Sequence, residues 1–322
     1  MSFSITRDRL SIMNDASPCI DRKRRLEKCT MCPRACATNR LISADGFCKA
    51  GDRVEVYAAH LHFGEEPPIS GTGGSGTIFF SHCNMRCVYC QNYKLSQLSH
   101  GKEMEIEDLA RLMLSLQRQK AHNINFVTPT HFAAHVADAV LQARERGLII
   151  PIVYNSGGYE SIETLKFLDG LVDIYLVDMR YGDNGAAATY SSCPDYVEVN
   201  QAAVLQMYKQ VGNLKLAPSG IAERGVIIRH LLLPNNLSGS DNIFRFISEK
   251  LNKETYISFM SQYYPAYKAA SYEEIARGIN RKEYDGALSS LYRYNLKNGW
   301  IQEYLGGYVD SGFAGTNIEP DV

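Results

Sequence analysis

The sequence predicts an α/β fold, a partial (β/α)6 barrel, on three observations. Six short apolar runs recur along the chain at residues 78–80, 124–127, 151–154, 173–178, 225–234 and 256–260, each ending in polar or turn-forming residues. Between them lie segments whose apolar residues repeat at helical spacing, so that strand and helix alternate as they do in a parallel sheet with covering helices. The first run leads directly into Cys83-Asn-Met-Arg-Cys87-Val-Tyr89-Cys90, which places three thiols on a loop at a strand's C-terminal end. Folds of this class gather their chemistry at that end.

The elements follow in order. Residues 1 to about 25 show little periodicity, with Cys19 standing alone as a spare thiol and Arg22-Lys23-Arg24-Arg25 read as a solvated helix face. Val54-Glu-Val-Tyr57 alternates as a short strand; His60 and His62 follow, then Glu65-Glu66-Pro67-Pro68 and a glycine-rich stretch to Gly76 that form a connector. That stretch precedes a strand instead of opening a helix, so it is not a dinucleotide fingerprint. Leu109, Leu112, Met113 and Leu116 mark a helix, as do Val136, Ala139, Val140 and Ala143, the latter stopping at Gly147. Further helices are expected over about 161–169 and 195–211, and after residue 234 with Ser240 or Asp241 as cap. The polar, alanine-rich stretch before Cys193-Pro194 reads as a loop. Beyond the sixth strand, Ser271-Tyr-Glu-Glu274 has the pattern of a capping box, Tyr284, Leu288 and Leu291 mark a closing helix, and the tail from Gly306 is expected to be loosely ordered. The expected organisation is an N-terminal cysteine-rich metal-binding extension (1–65), a core barrel (66–270) and C-terminal helices with a tail (271–322).

Composition narrows the function. With 34 Lys and Arg against 35 Asp and Glu, the chain has a formal charge of −1 and no basic field, which argues against nucleic acid as a partner. No apolar stretch approaches the ~18–20 residues of a membrane span, and no signal-like apolar core opens the chain, so a cytoplasmic protein without a membrane partner is expected. Seven of the nine cysteines fall in two tight groups, which in such a compartment reads as metal ligation and not as disulfides. Cys29-Thr-Met-Cys32-Pro-Arg-Ala-Cys36 with Cys48 supplies four thiolates, the count of a closed site; zinc and an iron–sulfur cluster both accept them. Such a site has no open position, and its segment has few large apolar residues, so its role is expected to be structural. Cys83, Cys87 and Cys90 supply three, which suits a four-iron cluster with one iron left open better than zinc. The competing readings are thiols packed in a small core or, for the second group, a zinc loop.

The spacing Cys83-x3-Cys87-x2-Cys90, with an aromatic before the last cysteine, resembles the signature of the radical S-adenosylmethionine (radical SAM) superfamily. The whole set is similar to the pyruvate formate-lyase activating enzyme-like, or PflX-like, branch: Cys29-x2-Cys32-Pro33-Arg34-x-Cys36 with Gly46-Phe47-Cys48, Gly74-Ser-Gly-Thr-Ile-Phe-Phe80, Cys90-Gln-Asn92, Val127-Thr-Pro-Thr-His131, Tyr154-Asn-Ser-Gly-Gly-Tyr-Glu160 and Arg229-His-Leu231. The resemblance implies a barrel of the radical SAM type, a 4Fe-4S cluster on Cys83, Cys87 and Cys90, and S-adenosyl-L-methionine chelating the open iron. Reductive cleavage to a 5′-deoxyadenosyl radical then needs a one-electron donor such as flavodoxin or ferredoxin. Carried over, Tyr89 packs near the adenine, and Thr128, Asn155, Asp178, Arg180, Arg229 and His230, at strand ends, contact the cofactor; His131 is a further candidate, and Cys193 a candidate hydrogen-atom donor or substrate contact. Two departures stand out. Thr128-Pro129-Thr130 replaces the Gly-Gly-Glu element that holds the SAM amino group, and Asp178-Met-Arg180 replaces the Asp-x-Lys of glycyl-radical activating enzymes. Three functions compete: hydrogen abstraction from a protein, peptide or small molecule; activation of a glycyl-radical enzyme; and a non-catalytic iron–sulfur protein for electron transfer or redox sensing.

Overall fold

A computed structural model describes residues 18–304 and 315–317. In chain order the elements are α1 (Pro18–Glu27), β1 (Val54–His62), β2 (Ser75–Phe80), β3 (Lys102–Met104), α2 (Ile106–Arg118), β4 (Ile124–Val127), α3 (Ala133–Glu145), β5 (Ile152–Ser156), α4 (Ile162–Phe167), β6 (Ile174–Asp178), α5 (Asn184–Ser191), α6 (Tyr196–Val211), β7 (Lys215–Leu216), β8 (Ala222–Leu231), α7 (Ser240–Phe246), β9 (Tyr256–Met260), α8 (Arg281–Arg293), β10 (Gly299–Gln302) and β11 (Gly315–Asn317). Short helical turns fill several of the connections. The main sheet runs β11-β10-β9-β8-β6-β5-β4-β2-β1-β3 and does not close on itself, while β7 pairs with β8. Among the described residues, β2, β4, β5, β6, β8, β9 and β10 are parallel, and β1, β3 and β11 add antiparallel edges.

The six expected parallel strands are present, and the partial barrel with them. Strand alternation divides their side chains between two cores. Ile78, Phe80, Phe126, Tyr154, Tyr175, Ile228 and Phe259 pack under the helices, where Leu109, Met113, Val136 and Val140 meet them. Val153, Ile174, Leu176, Ile227 and Trp300 form a second cluster with Ile69 from the connector. A third, aromatic cluster of Met85, Tyr89, Tyr159, Tyr181, Tyr190, Tyr196 and Tyr263 surrounds the cysteine loop.

Several local expectations are corrected. The low-periodicity N-terminal stretch contains α1; Arg22 pairs with Asp138 at 3.2 Å and Arg25 lies 4.2 Å over Phe167, so the basic run is partly docked. The alanine-rich stretch before Cys193 is the helix α5, because alanine is the strongest helix former and Asp183 caps it by accepting from Ala186 N. Neither Ser240 nor Asp241 caps α7; Gly239, at φ 63°, occupies that position, freeing Ser240 Oγ for His230 and Asp241 for Ser290, Arg293 and Tyr294. Ser271–Glu274 starts no α-helix, and the capping box forms instead between Asn280 and Glu283 ahead of α8. β1 is longer than expected, and β10 is a seventh parallel strand too short to show a period. The side chain of Cys19 and most of the tail from Gly306 lie outside the described residues. Among the described residues no helix is long and apolar enough to cross a membrane.

Candidate functional site

The loop leaving β2 bends sharply before its first two thiols: His82 and Arg86 sit at φ 71° and 61°. Left-handed backbone at non-glycine residues costs of order 1–3 kcal/mol each and persists where surroundings enforce it, commonly at functional sites. Here His82 is held by Glu55 (2.8 Å) and Ser99 (3.1 Å). Cys87 Sγ accepts from Ser191 Oγ (2.9 Å) and Arg180 Nη1 (3.3 Å), donors of the kind that stabilise a thiolate. Cys90 Sγ and Ser96 Oγ are 3.1 Å apart. Burial pushes the Cys83 thiol up and the Cys90 thiol to about 12, with the neighbouring Cys87 adding to both, so a cationic centre is needed to make them anionic. Tyr89 is buried and hydrogen-bonds Tyr181 (2.6 Å), which bonds Ser191 (2.6 Å) in turn; the aromatic is thereby tied to Cys87.

Four of the expected strand-end residues meet in one network. Arg229 Nε donates to Asp178 Oδ1 (2.7 Å), and its Nη2 donates to Asn155 Oδ1 (2.6 Å). Arg180 donates through Nε (3.0 Å) and Nη2 (2.5 Å) to Asp178 Oδ2 and through Nη1 to Cys87. Burial alone would raise the Asp178 carboxyl, yet Arg229 and Arg180 hold it below the usual carboxylate range. Beneath them lie two carboxylates read at first as part of a connector. Glu65 accepts from Asn125 (3.1 Å) and lies 3.6 Å from Arg229 Nη1. Burial raises Glu65 and pushes Glu66 to about 7 against the pull of Arg229. No period or spacing signals these two; only the fold brings them to Arg229.

Thr128 donates its N–H to Asn155 O (2.8 Å) and adopts φ 57°, unfavourable for a β-branched residue. It thus takes a glycine-type conformation where the resembled family has its glycines. His131 is turned away, its Nε2 bonding Ser81 O at 2.7 Å. His230 is not among the gathered residues either. Alternation along β8 sends its ring to the face opposite Arg229, where it bonds Met179 O and Ser240 Oγ, both at 2.8 Å. Burial lowers it to about 4, so it is neutral near pH 7. Cys193, buried between α5 and α6, donates to Ser191 O (3.1 Å) and accepts from Arg34 Nη2 (3.1 Å); burial drives its thiol up. It is not an activated thiol.

Cys29, Cys32, Cys36 and Cys48 are unbridged and line one cavity of about 20 Å3, which His131 also borders. Ala35, Ala37 and Lys49, flanking two of these cysteines, are all left-handed. Among the described residues no three His, Cys, Asp or Glu side chains already stand at the spacing of a metal site. Donor type and placement, not ligand distance, mark both groups. In each, sulfur donors suit iron–sulfur clusters or zinc.

Comparison with known proteins gives the following. The family model described as Radical SAM superfamily matches residues 77–187, from β2 through the cysteine loop to α5. The uncharacterized protein MJ0674 of Methanocaldococcus jannaschii is 32% identical over 281 residues, covering 84% of this chain and 76% of that protein. The uncharacterized protein MJ0808 of the same organism is 25% identical over 264 residues, covering 75% and 72%. Among solved structures, HydG, a maturase of the FeFe-hydrogenase, superposes with a TM-score of 0.50 at 12% identity over 70% of this chain. The chain spans about half of that structure's length (51%), and the likeness is one of fold.

Proposed function

The chain belongs to the radical SAM superfamily, and we propose that it is an enzyme that binds a 4Fe-4S cluster at Cys83, Cys87 and Cys90 and cleaves S-adenosylmethionine reductively. The observation that carries the reading is the contact between the cysteine loop and the strand-end network, Arg180 donating to both Cys87 and Asp178. When bound, cluster and cofactor would supply, with one electron from a flavodoxin or ferredoxin, a 5′-deoxyadenosyl radical for taking a hydrogen atom from the substrate. The chain's own residues prepare the place. Cys83, Cys87 and Cys90 are presented together by the strained loop, and Ser191 and Arg180 stabilise the charge on Cys87. Arg180, the more exposed of the two arginines, would hold the carboxylate of the cofactor's methionine end, and Asp178 and Asn155 would offer acceptors for its ammonium group. Thr128, left-handed and donating its N–H to Asn155 O, stands in place of Gly-Gly-Glu. Tyr89 and the tyrosines around it exclude water from the reacting atoms. His230 supports Met179 from behind, on the face opposite Arg229.

The proposed organisation keeps residues 1–65 as the metal-binding extension, 66–270 as the core and 271–322 as the C-terminal part, with zinc or a further iron–sulfur cluster at Cys29, Cys32, Cys36 and Cys48. The PflX-like branch, a flavodoxin or ferredoxin donor, and a protein, peptide or small-molecule substrate belong to the same proposal. Arg180 in place of the activase lysine supports SAM binding more than glycyl-radical activation. The test is anaerobic reconstitution with iron and sulfide, then reduction with SAM and chromatographic detection of 5′-deoxyadenosine. The parent protein should form it and Cys87→Ala should not. Equal rates from both would remove the cluster assignment, and its absence from cluster-loaded parent protein would return the chain to a non-catalytic iron–sulfur role.

A further inference from the structure

Arg34 lies between Cys32 and Cys36, yet its guanidinium leaves that segment and reaches the other cysteine loop. Nε donates to the carbonyl of Asn84 (3.0 Å), the residue after Cys83. Nη2 donates to Cys193 Sγ (3.1 Å) and, at 3.5 Å, to the carbonyl of Ser191, whose hydroxyl donates to Cys87. The cation sits 3.9 Å from the ring centroid of Phe47, next to Cys48, and 5.1 Å from that of Tyr159, whose carbonyl accepts from Asn84 Nδ2 at 2.7 Å. One side chain therefore joins the four-cysteine segment to the neighbours of both Cys83 and Cys87.

We infer that Arg34 is a positioning residue that couples the Cys29/Cys32/Cys36/Cys48 site to the geometry of the Cys83–Cys90 loop. The planar fork is what makes the link: it hydrogen-bonds at its edge and stacks on aromatic rings with its face, which an ammonium cannot do together. Its own placement depends on the segment that carries it. Ala35, Ala37 and Lys49 hold left-handed conformations, which last only where surroundings enforce them, and four thiolates on one metal would enforce them. Losing that metal frees Phe47 and the Arg34 turn together, and the Asn84 carbonyl loses its donor. The four-cysteine site then acts on the catalytic loop as well as on its own segment. The functional part of this inference rests on the radical SAM reading above.

The test compares metal-loaded parent protein with Arg34→Ala, Arg34→Lys and Cys48→Ser by hydrogen–deuterium exchange and by electron paramagnetic resonance of the reduced cluster with and without SAM. In Arg34→Ala, exchange in residues 83–90 and 191–193 should rise about tenfold while that of α2 and α3 stays at the parent level. The SAM-induced change in the resonance spectrum should be altered, and 5′-deoxyadenosine formation per cluster should fall about tenfold. Arg34→Lys should not restore either. Cys48→Ser should reproduce both signatures, and the double variant should be no worse than either single one. Parent-like exchange and spectrum in Arg34→Ala, or fully additive effects in the double variant, would overturn the coupling. If Arg34→Ala does not fold, Phe47→Leu removes only the stacking surface: a smaller rise in the same segments supports the link, and parent-like exchange there overturns it. Exchange is readable whatever the protein's activity, so a parent protein that makes no 5′-deoxyadenosine would count against the proposed function and leave this test decisive.

Discussion

Arg229 and Arg180 share Asp178 but differ in what their loss would do. Arg229 is the more buried and faces Asp178, Glu65 and Glu66 together. Arg229→Met would leave those carboxylates without their main counter-charge, and truncating one partner of a buried ion group costs about 3–5 kcal/mol. Chemical denaturation should show a loss of that size; a loss under about 1 kcal/mol would mean that solvent reaches the group. Arg180 keeps 26% of its side chain exposed, and Asp178 retains Arg229 without it. Arg180→Ala should therefore leave folding and iron content near parental while weakening SAM binding by about 1.5–3 kcal/mol, the worth of a charge-assisted contact. An unchanged SAM dissociation constant would remove it from the cofactor's neighbourhood. These arginines were legible because they end strands; Arg34, Glu65 and Glu66 were not. Arg34 meets Asn84 and Cys193, 50 and 159 positions away, and no local pattern encodes such pairings.

At the scale of elements, the turn after β5 shows most clearly why a short sequence pattern has one solution. Gly158 is left-handed at φ 76°, and a Cβ there would lie 2.1 Å from Asn200 Nδ2 and 2.4 Å from Asp178 O. Asn200 and Tyr196 of α6 use this approach to hold the Gly158, Gly157 and Asp178 carbonyls, so α6 locks the ends of β5 and β6 together. Two residues on, Glu160 accepts from Thr130 (2.5 Å) and Tyr154 (3.2 Å), and burial pushes it to about 7. That value lies above the unfolded one, so the native state binds the proton more tightly. The associated stability is complete below about pH 4.5, declines as pH rises towards 7 and is absent above it. Glu66 contributes with the same sign. Buried neutral histidines such as His230 titrate with the opposite sign and tilt parent and variant alike, so the reading is a difference: in urea denaturation from pH 5 to 8, Glu160→Gln, which keeps the shape and lets Tyr154 Oη accept from its amide, should gain on the parent as pH rises and be the more stable of the two at pH 8. A difference that stays constant with pH would place the titration elsewhere. α2, through its apolar period, and β6, through its continuous apolar run, were readable from the sequence; α5 was missed because its polar residues masked a capped alanine helix, and β10 because only Trp300 and Ile301 in it are apolar.

For the whole molecule, the open sheet separates what folds from what reacts. The fold class follows from alternation alone, since each strand buries one face under the helices and the other in the barrel, and those two clusters contain few residues of either cysteine loop. The third cluster is different: Cys87, Tyr89, Cys193 and the tyrosines around them form a layer over the mouth that is tied to the sheet mainly through Asp178, Arg180 and Tyr196. On the proposed function, the first two clusters stand without a metal and the loops of the third are ordered by theirs. Anaerobic chelation of iron should therefore leave the far-ultraviolet circular dichroism and a cooperative thermal transition in place while hydrogen exchange rises in residues 81–93, 181–196 and 263–275. Exchange in β4, β5 and β6 should stay slow, because their side chains are covered on both faces. If chelation instead collapsed the dichroism and opened β4 to β6, the metal would be holding the barrel itself, and the division between a self-sufficient scaffold and a metal-ordered mouth would be wrong.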